Sequence, residues 1–290
     1  MEPRHILLTF LHLAPDPGLT KALIDSGATC VAYETVEKPD GVKPLLAPMS
    51  EIAGRLAPQV GAYLLERMSG GKGKLLGGAA GVKAANVVIL GAGTAGANAA
   101  TIAAGMGAHT KVLDIDLSRL AELRRYLPNV QTLHSDQLTI ETEVATADLV
   151  IGAILVSGAK TPVLVSEDVV QGMQPGSVIV DLSVDQGGCV ATSRVTTHRD
   201  PTFAKHGIIH YGVDNMAGVV PITSTLALTN ATLPYILEVG EKGAVAAARL
   251  DPALARGINV MEGKVTLREV ADATGNPYFP LEYVLPIEYT

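Results

Sequence analysis

The stretch VVILGAGTAG at residues 87–96 decides the fold. Its first four residues are apolar and predict a buried strand, and the glycines that follow match the pattern G-x-G-x-x-G that opens a helix. We expect Gly91 to permit a tight turn, Gly93 to let a pyrophosphate approach the backbone, and Gly96 to let the helix pack closely on the strand. The phosphates would then lie at the N-terminus of the helix, where free N–H groups and the helix dipole favour anions.

An acidic residue stands where such a motif requires one. Asp114 lies at the end of the next predicted strand, where a carboxylate can accept hydrogen bonds from the ribose hydroxyls of a dinucleotide. Because a 2′-phosphate would meet this negative charge, the sequence favours NAD over NADP. Arg119 is a nearby cation that keeps NADP open as an alternative. Dinucleotide binding is therefore predicted, with NAD as the expected cofactor.

From Val87 onward, short β-branched runs alternate with helical patterns, which is typical of successive βαβ units. The chain is therefore predicted to form an α/β fold with a doubly wound, Rossmann-type parallel sheet. The predicted strands are Val87–Leu90, Lys111–Asp114, Leu149–Ala153, Ser177–Asp181 and Ile208–Val213. The predicted helices are Ala95–Met106, Leu117–Leu127, Glu141–Ala147 and Ser166–Met173.

A second, smaller and discontinuous α/β domain is predicted from the two chain ends. We place its N-terminal part at residues 1–48, the dinucleotide-binding domain at residues 49–220, and its C-terminal part at residues 221–290. Strands are expected at Ile6–Leu11 and Thr29–Tyr33, and Ser50 is expected to cap a long helix. Because two strands alone leave the sheet edges exposed, we expect this N-terminal part to be truncated.

Composition excludes several classes of function. The 290 residues carry 22 Lys and Arg against 29 Asp and Glu, a net charge of −7 with no long basic run, which argues against a nucleic-acid partner. No apolar span is long enough to predict a membrane helix. Cys30 and Cys189 are isolated, and neither they nor the histidines have metal-ligand spacing, so no metal site is predicted. These features predict reduced thiols in a cytoplasmic protein.

Four further residues lie near predicted strand ends, where ligands of open α/β sheets bind. Asp185 follows the strand at residues 177–181, and Asn215 and Met216 follow the strand at residues 208–213. His12 ends the first predicted strand. By position alone, Asp185, Asn215 and Met216 are as consistent with a structural role as with a functional one, whereas a lone histidine at a strand end is more often structural.

Motifs along the whole chain resemble alanine dehydrogenase. They are the glycine-rich loop and the segments LHLA at 11–14, LLAPMSE at 45–51, VDQGGC at 184–189, SRVTTH at 193–198 and LTNATLPY at 228–235. The resemblance implies a reversible, NAD-dependent oxidative deamination of L-alanine to pyruvate and ammonia. It also implies a homo-oligomer, a hexamer built through helices such as residues 50–68.

Site residues follow from the same resemblance. It implies that His12 is the catalytic histidine and Asp185 the catalytic aspartate, with Ser50, Gly93, Asp114, Asn215 and Met216 around the cofactor. The family's chain begins upstream of Met1, and that segment carries an Arg and a Lys that hold the substrate. We therefore expect impaired turnover from the chain as written, with cofactor binding retained.

Two alternatives remain at this stage. One is the NAD-binding subunit of a transhydrogenase, which typically has Glu in place of Asp185 and is followed by membrane spans. The other is a truncated homologue that binds NAD without turnover. Asp185 favours the dehydrogenase over the first alternative. The missing Arg and Lys favour the second alternative, whereas retention of His12 and Asp185 counts against it.

Overall fold

A computed structural model describes residues 1–155 and 161–285. Its strands are β1 Ile6–Thr9, β2 Thr29–Ala32, β3 Asn86–Leu90, β4 His109–Asp114, β5 Gln131–His134, β6 Leu149–Gly152, β7 Val178–Asp181, β8 Thr202–Lys205, β9 Ile208–Tyr211, β10 Ile258–Met261 and β11 Lys264–Val265. Its helices are α1 Pro17–Ser26, α2 Ala47–Leu64, α3 Thr94–Gly105, α4 Leu117–Tyr126, α5 Gln137–Ala145, α6 Glu167–Gly172, α7 Pro221–Leu250, α8 Pro252–Gly257 and α9 Arg268–Thr274. The described residues divide into two compact units, one of residues 1–49 and 222–285 and one of residues 50–155 and 161–221.

The larger unit contains a seven-stranded sheet in the order β5-β4-β3-β6-β7-β9-β8. Every pairing in it is parallel except that of β8 with β9. All the residues of β6 and β7 are buried, as expected for strands covered on both faces. The predicted Rossmann-type fold is confirmed. The strand order reverses between β3 and β6, the place where open α/β sheets bind their ligands.

The smaller unit contains a four-stranded sheet in the order β1-β2-β10-β11. Strand β1 pairs with β2 in parallel, and β10 from the C-terminal part pairs with β2 antiparallel. Of the two edges that the N-terminal strands alone would expose, the hairpin of β10 and β11 covers the edge at β2. Strand β1 lies at the edge of this sheet.

Two local predictions about site residues are also wrong. Strand β1 ends at Thr9, so His12 does not end the strand but lies in the segment that follows it. Helix α2 begins at Ala47, so Ser50 lies inside the helix and is not its N-cap. The helix can start earlier because Pro48 is tolerated in a first turn, where its missing N–H would have no intrahelical partner.

Helix α7 has a kink. Gly243 has φ 77° and ψ 159° there, so two helical segments meet at this residue. Among the described residues, no helix combines the length and the apolar character that a bilayer span requires.

Candidate active site

The three glycines of the loop at residues 91–96 have three different environments. Gly91 has φ 102°, and a Cβ there would lie 2.5 Å from the Ala153 carbonyl oxygen. A Cβ at Gly96 would overlap the carbonyl oxygen of Gly91, so only glycine lets α3 pack this closely on the loop. A Cβ at Gly93 would first meet Arg119 Nη1, at 3.9 Å. The loop is thus crowded at Gly91 and Gly96 and open at Gly93.

Helix α3 begins beside this open position, and α2 packs against its first turn. Gly93 is the N-cap of α3, and no side chain caps the helix there. A Cβ at Gly54 in α2 would overlap the carbonyl oxygen of Ala95. Ser50 lies one helical turn before Gly54 and so is on the same side of α2. The packing role of Gly54 was missed, although a glycine inside a helical pattern is a recognisable signal of close approach.

Asp114, the last residue of β4, is buried against the glycine-rich loop. Its Oδ2 accepts a hydrogen bond from the Ala92 N–H at 2.6 Å, and its Oδ1 accepts one from the Asp116 N–H at 2.8 Å. Each carboxylate oxygen has a second lone pair for a further donor. Arg119 is exposed, with its Nε 3.5 Å from Asp116 Oδ2. Asp114 and Arg119 therefore both lie beside the loop.

Asp185 lies in a short loop that follows β7. The residues Val184–Gln186 form a single 3₁₀ turn in which Asp185 is exposed. Gly187 and Gly188 follow with φ 102° and 78°, values that favour glycine. The hydroxyl of Ser183 donates to the Ile154 carbonyl at 2.6 Å and accepts from the Ile154 N–H at 3.0 Å. This loop is thereby tied to the chain that follows β6, at the carboxyl edge of the sheet.

His12 lies in a different kind of segment, in the smaller unit. It is exposed and has φ 48°, a left-handed conformation that is uncommon for a residue other than glycine. The Glu34 carboxylate accepts from the His12 N–H at 2.7 Å and from the Leu11 N–H at 3.2 Å. The ring of His12 stacks on that of Phe10, with centroids 6.0 Å apart. Glu34 was missed because its contact with His12 spans 22 positions of sequence.

Asn215 and Met216 follow β9. Asn215 is exposed and precedes the 3₁₀ helix Met216–Val219, while the Met216 side chain is buried. A Cβ at Gly218 would lie 3.1 Å from Asn215 Nδ2 and 3.4 Å from His198 Nε2, so these two side chains converge on Gly218. His198 is thus a polar neighbour of Asn215.

The larger unit brings most predicted site residues to the carboxyl edge of its sheet. These are Gly91, Gly93, Gly96, Asp114, Arg119, Asp185, Asn215 and Met216. A parallel sheet with a glycine-rich loop at its switch point is the arrangement of pyridine-nucleotide-dependent oxidoreductases.

Comparison with known proteins gives the family. Residues 57–268 match the alanine dehydrogenase/PNT C-terminal domain, and residues 1–53 match the N-terminal domain of the same family. The chain is 54% identical to an alanine dehydrogenase of Methanococcus maripaludis over 282 residues, which cover 97% of this chain and 76% of that protein. The chain belongs to the alanine dehydrogenase/PNT family and is an oxidoreductase.

Solved structures agree with this assignment. An L-alanine dehydrogenase superposes with a TM-score of 0.89 at 48% identity, covering 95% of this chain and 76% of that one. A transhydrogenase from Sinorhizobium meliloti superposes with a TM-score of 0.75 at 22% identity, covering 91% of this chain and 76% of that one. The second match reflects a shared fold alone.

Proposed function

We propose that this chain catalyses the reversible, NAD-dependent oxidative deamination of L-alanine to pyruvate and ammonia. The observation that carries the proposal is a sequence identity of 54% to an alanine dehydrogenase over 97% of this chain. His12, Asp185 and the glycine-rich loop with Asp114 are all present. The similarity to a transhydrogenase is confined to the fold, so it does not support a hydride transfer between two nucleotides. A homo-hexamer and a cytoplasmic location stay predictions.

The residues around the glycine-rich loop fit a dinucleotide. Space at Gly93 would admit a pyrophosphate to the first turn of α3, whose N–H groups bind anions well. Ser50, on the side of α2 that packs against this turn, could donate its hydroxyl to the same ligand. Asn215 and Met216 would contribute one polar and one apolar side chain near the carboxyl edge of the sheet.

Asp114 supports NAD over NADP. Its carboxylate is fixed by the Ala92 and Asp116 N–H groups and keeps lone pairs for the ribose hydroxyls. A 2′-phosphate in the same place would meet this carboxylate as a like charge. Arg119 would offset part of that repulsion, but its exposed guanidinium already has Asp116 as a partner.

The chemistry needs one group that moves protons and one that orients water. When bound, NAD supplies the acceptor for the hydride that leaves Cα of alanine. Water then adds to the resulting iminium carbon, and ammonia leaves as the C–N bond breaks. An imidazole accepts and returns protons near neutral pH, which suits His12 to take the proton from this water and pass one to the departing amine.

Asp185 complements this role. An exposed carboxylate can accept hydrogen bonds from the water that attacks and can stabilise the cationic nitrogen of the iminium. Its loop is tied through the Ser183 hydroxyl to Ile154, which limits the movement of Asp185. His12 would therefore transfer protons while Asp185 orients and stabilises.

The test separates cofactor binding from turnover. NADH and NADPH are titrated against the protein by fluorescence, and NADH oxidation is then followed with pyruvate and ammonium present. We expect NADH to bind more tightly than NADPH, and oxidation to require both co-substrates. Replacing Asp114 with Ala should weaken NADH binding about tenfold, since one well-placed hydrogen bond to a charged group contributes about 1.5 kcal/mol. A folded protein that prefers NADPH, or that oxidises NADH without ammonium, would contradict the proposal.

A further inference from the structure

A buried carboxylate outside the proposed catalytic set holds the loop that carries Asp185. Asp181 is the last residue of β7 and is 2% exposed. Its Oδ1 accepts from the Ser183 N–H at 3.0 Å, and its Oδ2 accepts from the Cys189 N–H at 3.0 Å and the Val190 N–H at 3.3 Å. One side chain therefore binds the backbone on both sides of Asp185.

The loop closes around this carboxylate with little free space. A Cβ at Gly188 would lie 2.9 Å from Asp181 Oδ2, and one at Gly152 would lie 2.9 Å from Oδ1 and overlap Cys189 Sγ. The Gly188 N–H also donates to the Ser183 carbonyl at 3.0 Å, across the base of the loop. The carboxylate thus fills a cradle made by two glycines, a thiol and three backbone N–H groups.

Burial of an acid without an adjacent base is costly unless hydrogen bonds offset the lost solvation. Burial raises the pKa of Asp181, and its hydrogen bonds oppose that rise. The backbone N–H groups that Asp181 binds all belong to one loop, in which Asp185 is exposed.

We infer that Asp181 is a positioning residue that fixes the orientation of Asp185 for the dehydrogenase reaction by binding both ends of the loop at residues 183–190. The inference rests on the proposed function, since it assumes that Asp185 acts on the substrate. Displacement of a reacting group by about 1 Å can lower a rate about a hundredfold. A loop anchored at both ends is a direct way to prevent such displacement.

The main variant is Asp181→Asn, which preserves shape but turns one acceptor oxygen into an NH₂ donor that faces backbone N–H groups. The matched control is Asp148→Asn. Asp148 is also almost fully buried and also accepts a backbone hydrogen bond, from Asn86 at 2.7 Å, but it directly precedes β6, at the opposite edge of the same sheet. Both variants remove one buried carboxylate charge, but only Asp181→Asn changes a residue that contacts the loop at residues 183–190.

The first readout is hydrogen exchange of the amides at residues 183–190, which needs no activity. We expect Asp181→Asn to accelerate exchange there about tenfold or more and Asp148→Asn to leave it unchanged. If Asp181→Asn fails to fold, Gly188→Ala tests the same cradle from the loop side, because its Cβ would press on Asp181 Oδ2. Equal exchange in the wild type and in the folded loop variant would overturn the inference.

The second readout is a double-mutant cycle on kcat. Asp181→Asn should lower kcat about 10- to 100-fold, with NADH affinity within about twofold of wild type. In an Asp185→Asn background the same change should have little further effect, because the two residues act through one geometry. Independent, multiplicative losses would overturn the positioning role alone. An Asp185→Asn variant with wild-type kcat would instead overturn the proposed role of Asp185, and this inference with it.

Discussion

The segments that carry His12 and Asp185 are both held by a carboxylate that accepts backbone N–H groups, but the two arrangements differ. Asp181 is buried, and its hydrogen bonds bracket Asp185 on both sides. Glu34 is only half-buried, and it binds two consecutive N–H groups at one point of the chain, beside a residue in a strained conformation. The Asp185 loop is therefore expected to be rigid, and the His12 segment to be easier to distort.

The largest effect is expected at His12 itself. His12→Ala removes the proposed proton-transfer group and should lower the rate of NADH oxidation with pyruvate and ammonium about 100-fold or more. NADH affinity should be unchanged, because the cofactor residues lie on the larger unit. Steady-state kinetics and a fluorescence titration check both parts. A rate within a few-fold of wild type would remove His12 from the mechanism.

A contrast between Asp148 and Asp181 tests whether burial alone determines how a buried carboxylate affects the pH dependence of stability. Burial raises the pKa of Asp148, but hydrogen bonds from Lys72, Lys74 and the Asn86 N–H outweigh it and hold the pKa below its usual value. The stabilisation from Asp148 is therefore present above the unfolded-state pKa of about 4 and is lost as the pH falls through the lower folded-state value.

Asp148→Asn should consequently lower the free energy of unfolding by about 2 kcal/mol at neutral pH, the contribution of hydrogen bonds to a charged group, and by much less in acid. For Asp181, whose pKa is raised, the sign is opposite: the stabilisation is full in acid and is lost as the pH rises through the folded-state pKa. Denaturant unfolding of both Asn variants across pH 3 to 8 measures this. If the change in unfolding free energy relative to wild type varied with pH in the same way for both variants, this contrast would be contradicted.

Glu34→Gln should have a moderate effect on activity. The amide keeps one acceptor oxygen but weakens the charge-assisted hydrogen bonds to Leu11 and His12, so kcat should fall about fivefold to tenfold. Glu167→Gln is the matched control, because Glu167 is also half-buried, pairs with Lys205 and His206, and has no described contact with Glu34 or the His12 segment. Equal kcat values for the two variants would show that Glu34 does not hold His12 in place.

The smallest effect concerns the strain at His12. With φ at 48°, a glycine should be more stable there than an alanine, by about 1 kcal/mol. Thermal unfolding of His12→Gly and His12→Ala compares the two directly, since neither variant has the imidazole. A His12→Ala variant as stable as His12→Gly would indicate that the segment relaxes and stores no strain.

The central sheet could be predicted from the sequence because its strands are apolar and its glycines have fixed spacing. Strands β5 and β8 were missed, since Gln131–His134 and Thr202–Lys205 are short, contain no continuous apolar run and lie at the edges of the sheet. Edge strands have one unpaired side, so they need less apolar sequence and leave a weaker pattern.

The supporting contacts of the site could not be predicted in the same way. Asp181 was recognised only as the end of a strand, because its role depends on a loop that folds back over it. Glu34 contacts His12 only because β1 and β2 pair in register, with Thr9 opposite Ala32. Sequence motifs therefore indicated the residues proposed to react, whereas the residues that hold them depend on tertiary contacts.

The most direct test of the account is L-alanine-dependent reduction of NAD by the purified protein, with pyruvate and ammonium quantified alongside NADH. The account predicts equal amounts of the three products, a marked preference for NAD over NADP, and loss of all three products together in Asp185→Asn. A protein that binds NADH but forms no pyruvate from L-alanine, or that forms it with NADP as readily as with NAD, would contradict it.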